Sequence, residues 1–464
     1  MCSSDLEDAT SLPKSLIDTD LFSLDAFDLA QKGTVAYNVE YPLWADNAEK
    51  GRWVHVPMKV EGSRLIRQSI QFDPVSKKFL IPDNTRFYKT FYKFVKDSNG
   101  KPRYRRIETR IIVVRSPWEK SLFGTYRWDE TEQVASLVET PYRDGTPWKD
   151  TILSVVVDEK KGTERKYVIP AKHRCTECHM GSESRSFVLG FSPLQINRRA
   201  PGEYARNSKI SPDEISLADR LSAYGIVSGF VRGEELPRLE WLSRESPKNI
   251  FEFKAQSYMV GNCASCHNPD GFAKANGIDL TLTAGSIFNF NTHTRSQSNR
   301  TRYIVASDGD PDRSVIYNKI ADPPSQQGIL SRMPMHIAAL PDCASLTAIG
   351  KWIRSFESID VAQAWEPDCK PAGNNFEFVP QDFTWPKSEH YVPRRNDWAD
   401  PVNGMPQKYR DLELSPGLKD LVSKSYPVGY WNEKDECKFP ELDLPKEKRR
   451  PWMIDDQGQP KYPF

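Results

Sequence analysis

Two short stretches constrain this chain more than anything else in it: Cys175-Thr176-Glu177-Cys178-His179 and Cys263-Ala264-Ser265-Cys266-His267. Each reads Cys-x-x-Cys-His, the attachment signal for a c-type haem. The spacing has a chemical reason. Two thiols about one helical turn apart can add to the two vinyl groups of one porphyrin. The histidine directly after the second thiol then lies under the iron and supplies one axial nitrogen. Four of the eight cysteines and two of the seven histidines stand in these two copies. The expectation is a chain folded around two covalently bound haem c groups. Cys175, Cys178, Cys263 and Cys266 form the thioethers, and His179 and His267 are the proximal ligands. One rival is a single zinc ion held by the four cysteines, as in zinc ribbons. Zinc gives no reason for a histidine to follow both pairs. A thioredoxin-like redox pair would need a βαβ pattern, which surrounds neither motif.

The bulk numbers narrow the class. A length of 464 residues is enough for about three domains. Lys plus Arg is 64 and Asp plus Glu is 63, so the basic excess expected of a nucleic-acid partner is missing. No apolar run approaches the roughly 18 residues needed to span a bilayer. Haem attachment to this motif takes place outside the cytoplasm, so a periplasmic or cell-surface location is expected. Met1-Cys2-Ser3-Ser4 followed by a polar stretch reads as the start of a mature lipoprotein. Membrane attachment through a lipidated Cys2, as in an outer-membrane lipoprotein, is the matching expectation.

Along the chain, residues 1–32 read as a tether with one short amphipathic helix capped at Asp18-Thr19-Asp20. Residues 33–170 are β-rich. Phe87 to Val95 and Tyr104 to Val114 flank an Asn-Gly turn and predict a hairpin. Ile152 to Val157 and Lys166 to Ile169 predict another. Short strands with frequent turns fit an antiparallel sandwich. Residues 171–248 form the first haem-binding segment, with a helix start at Ser211-Pro212-Asp213-Glu214. Residues 249–369 read as a small helical domain. A leading helix ends at the second motif, a short helix runs from Asp312 to Ile320, and Leu346, Ile349, Trp352 and Ile353 give a closing helix one apolar face. Residues 370–464, rich in Pro and aromatics, read as an extended tail. The fold class is therefore α+β and multidomain.

The order of leading helix, haem motif, Met333-Pro334 loop and closing helix in residues 249–358 resembles class I c-type cytochromes. The wider pattern is similar to a largely uncharacterised family of exported bacterial proteins that fuse a β-domain to cytochrome c segments. The residues carrying that likeness are Tyr41-Pro42-Leu43-Trp44-Ala45-Asp46, Lys50-Gly51-Arg52-Trp53, Arg106-Ile107-Glu108-Thr109-Arg110, Tyr126-Arg127-Trp128, Leu189-Gly190-Phe191 and Arg332-Met333-Pro334. The resemblance implies architecture and no substrate.

A Met-Pro loop places a neutral thioether on the distal side of the second iron, which favours the reduced state. Met333 matches that position in the resembling domains, with Met335 and His336 as close competitors. The first site has no evident distal ligand. Met180 and His173 are too near the proximal histidine, and Met259, His293, His55 and His390 carry no motif. Cys343 and Cys369 flank the closing helix and can pair in an oxidising compartment, leaving Cys437 single. The function expected is an exported dihaem cytochrome that passes electrons between other redox proteins or cytochromes. The alternatives are a dihaem, peroxidase-like enzyme with an open first iron, and a binding or assembly module with haem output.

Overall fold

The computed structural model describes residues 9–19, most of 34–138, 150–179, 188–196, 249–274, 303–321, 332–335 and 341–369, and scattered positions elsewhere. The protein is mixed α/β: a curled β-sheet region and a few helices. The strands run β1 (Thr34–Tyr37), β2 (Glu49–His55), β3 (Lys59–Glu61), β4 (Arg64–Ile66), β5 (Ile70–Asp73), β6 (Lys78–Leu80), β7 (Arg86–Lys96), β8 (Pro102–Val113), β9 (Leu122–Trp128), β10 (Ala135–Leu137), β11 (Thr151–Asp158), β12 (Thr163–Ile169) and β13 (Val227–Ser228). The helices are α1 (Lys172–His179), α2 (Pro193–Ile196), α3 (Ile250–Asn262), α4 (Val315–Ala321), α5 (Cys343–Arg354) and α6 (Ile359–Ala364).

The central hairpin is β7–β8, turned at Asp97–Gly100, where Gly100 has φ 80° and Asp97 accepts backbone hydrogen bonds from Asn99 and Lys101. A bulge between Phe91 and Tyr92 shifts the register and curls the strand. The main sheet runs β1-β2-β7-β8-β9-β10, and the β11–β12 hairpin joins it at β7. Sandwich layering is present only in part. Eight strands form one sheet, and the layer against it is the small sheet β13-β5-β6, with a parallel edge. Phe191 fills the seam, its ring 5.0 Å from Phe87, 5.1 Å from Tyr37 and 5.5 Å from Phe79. Val188, Ile196, Leu221 and Ile226 join the same core, so chain beyond α1 helps close the β region.

The helical part forms where the apolar period is 3.6. Asn249 caps α3 by accepting from the amides of Phe251 and Glu252. Asp342 caps α5 by accepting from Ser345. Tyr258 and Met259 on α3 pack against Leu346, Ile349 and Ile353 on α5. The Trp44 side chain leaves the β region to enter this helical core, and the Trp44 backbone N–H donates to Asn262 Oδ1 at 2.7 Å. A fully buried aromatic side chain of this kind contributes on the order of 2–3 kcal/mol. The helix expected after Asp20 lies outside the described residues, as do the Ser211–Glu214 helix start, most of the 370–464 tail, and Cys2.

Candidate haem sites

The first motif lies on α1, which starts as β12 ends. Asp150 holds the start of the helix, accepting from the Ala171 amide at 2.8 Å and pairing with Arg174 at 3.6 Å. Arg174 also bonds Glu177 at 2.9 Å. α1 packs on β9, where the His179 ring sits 5.6 Å from that of Phe123. Cys175 packs against the sheet core.

The second motif closes α3, with Cys263 as its C-cap. The chain then winds through tight turns: the amides of Cys266 and His267 both donate to the Cys263 carbonyl, at 3.1 and 2.9 Å. Asn268 pins this turn from its side chain, donating to Ala264 and Ser265 carbonyls. Leu280 N–H donates to the His267 carbonyl at 2.8 Å. His267 Nδ1 is buried with no hydrogen-bond partner among the described residues.

These segments face one cavity of about 590 Å³, within the roughly 300–1,000 Å³ usual for cofactor and ligand sites. Cys175, Cys178 and His179 line it from one side, and Cys263, Cys266 and His267 from another. Met333, Pro334 and Met335 also reach it. Met333 is held by its amide, which donates to the Lys319 carbonyl at 2.8 Å. Just before it, the buried Arg332 guanidinium donates to the carbonyls of Ile320 and Ala321 at the end of α4. His336, His293, His390 and Met180 lie outside the described residues. Met259 is buried in the helical core, and neither it nor His55 is among the described residues lining the cavity.

The four motif cysteines are free thiols. Cys178 and Cys266 stand near each other in the cavity. Interaction with Cys266, then burial, raises the Cys178 thiol well above its ordinary range, while interaction with Cys178 lowers Cys266. Burial raises Cys175 and pushes Cys263 up to about 12. Burial also lowers His267, favouring the neutral imidazole that can donate a lone pair to a metal. Among the described residues, no three His, Cys, Asp or Glu converge as a metal-holding group. A four-cysteine zinc site needs such convergence. A haem iron does not, because the porphyrin supplies four nitrogens and the protein only axial donors. The cavity, the paired free thiols and the neutral imidazole fit that group. Cys343 and Cys369 stand in disulfide geometry, Cα atoms 5.5 Å apart.

Sequence reasoning missed the opposite wall of the cavity. Lys89 on β7 and Arg110 on β8 face in from the sheet. Arg52 and Arg110 stand in two of the sequence words that carry the resemblance, but nothing in those words marks them as cavity neighbours. Comparison with protein-family models, characterised proteins and solved structures found no match to this chain.

Proposed function

We propose that the protein is an exported dihaem c-type cytochrome that carries electrons between redox partners. The observation supporting this reading most strongly is that both Cys-x-x-Cys-His motifs and Met333 border one cavity. Haem c, when bound, supplies a one-electron Fe(III)/Fe(II) couple. Cys175 and Cys178 would hold one haem and His179 would ligate it. Cys263 and Cys266 would hold the other, with His267 and Met333 as the residues that would ligate its iron. The β-sheet wall, with Phe87, Ile112 and Phe123, excludes water and gives both groups apolar surroundings. The nearness of Cys178 and Cys266 in one cavity supports close approach of the two haems and electron exchange within the protein. The Cys343–Cys369 geometry supports an oxidising compartment outside the cytoplasm. No described helix is long and apolar enough to cross a membrane.

A dihaem enzyme is the second reading, favoured by the cationic wall beside the first motif. Serine replacements test the haem assignment. The double variants Cys175→Ser/Cys178→Ser and Cys263→Ser/Cys266→Ser should each keep one covalent haem, counted by intact mass. A double variant that keeps the wild-type haem count would refute the motif it alters.

A further inference from the structure

Lys89 has a place the electron-transfer reading does not explain. It stands directly opposite Arg52 on β2 and Arg110 on β8, so three cations form one row across adjacent strands. Like charges facing each other across a sheet are destabilising. Glu108 is committed to Arg110. Its carboxylate takes two bonds from Arg110, at 2.6 and 3.0 Å, and one from the Tyr167 hydroxyl at 2.6 Å. Among the described residues, no hydrogen bond or ion pair engages the Lys89 ammonium. The described lining of the cavity contains Lys89, Arg110, Arg174 and Lys319 and no carboxylate. Arg174 is committed to Asp150 and Glu177, away from the row. An enclosed wall of this charge lowers its energy by taking up an anion.

We infer that the cavity contains an oxyanion site centred on Lys89 and flanked by Arg110, built for a carboxylate-like group. Two sources share that chemistry: a propionate of a bound haem, which rests on the cytochrome reading, and a small diffusible oxyanion. In either case Lys89 supplies the cation, and Arg110, fixed by Glu108, stands beside it.

Covalent haem in the wild type is counted first, because it tests the cytochrome reading separately. Lys89→Met is then compared with the charge-preserving Lys89→Arg in haem-loaded protein. The expected result is a lowered midpoint for one of the two haems in Lys89→Met and a wild-type midpoint in Lys89→Arg. Nitrite titrated into the oxidised protein separates the sources. No spectral change assigns the site to a propionate. A saturable change, lost in Lys89→Met and kept in Lys89→Arg, assigns it to a diffusible oxyanion. If only Lys89→Met fails to load haem, loading itself reports the charge requirement; if both variants fail, the oxyanion role is overturned. Unchanged midpoints and an unchanged nitrite response in Lys89→Met also overturn it, while leaving the cytochrome reading intact. If the wild type holds no covalent haem, that reading fails, and acylation of Lys89 decides the site: slowing by nitrite upholds it, and no slowing refutes it.

Discussion

Gly271 sets a tight limit on the second motif. A Cβ at this position would lie 2.3 Å from the Cys266 carbonyl oxygen and 2.7 Å from Asn268 Nδ2. Both atoms belong to the turn that presents Cys266 and His267, so a methyl group must push that turn aside. Gly271→Ala should reduce haem attachment at Cys263 and Cys266 and spare Cys175 and Cys178, as read by mass mapping of haem-bearing peptides. Equal attachment at both motifs would count against this role for Gly271. Lys89 carries the pH dependence. Loss of water, with Arg52 and Arg110 adding to it, pushes its ammonium down to about 7, while Glu108 and Cys178 act in the opposite sense. Protonated Lys89 favours the electron-rich ferrous state nearby. The midpoint of the nearer haem should therefore fall as pH rises through about 7, or somewhat above if a carboxylate partner raises the pKa. Potentiometry across pH checks this; Lys89→Met should flatten the step.

On the proposed reading, the loop after α4 supplies the distal side of the second site. Arg332 ties this loop to the last carbonyls of α4, where a cation is favourable both as a hydrogen-bond donor and against the helix dipole. Met333 follows directly and is fastened to Lys319. Arg332→Met should lower stability by about 1.5–3 kcal/mol, the usual effect of hydrogen bonds to a charged group. It should also weaken the methionine–iron charge-transfer band, a band that Met335→Ala leaves in place. Denaturant titration and the oxidised spectrum read the two effects separately. Much of this element layer was legible in the sequence. The β7–β8 and β11–β12 hairpins, α3 and α5 all follow from local period, turn residues and caps. The cationic row was not legible, because Arg52, Lys89 and Arg110 meet only through strand register, and register depends on long-range pairing and a bulge.

At the scale of the whole molecule, the cavity is a product of tertiary packing that no single segment contains. Its walls come from the sheet, from α1, from the turn after α3 and from the Met333 loop. Trp44 and Asn262 couple the first of these to the third, while Val188, Phe191, Ile196, Leu221, Ile226 and Leu236 join the β core. The sequence showed the two motifs but not their convergence, because chain spacing says nothing about which face of the sheet a later segment covers. Their meeting at one cavity makes two haems in one site the central claim. The pyridine haemochrome assay, with intact mass on protein matured in a cytochrome c-competent host, tests it most directly. The account predicts two covalent haems per chain. One haem or none would contradict it.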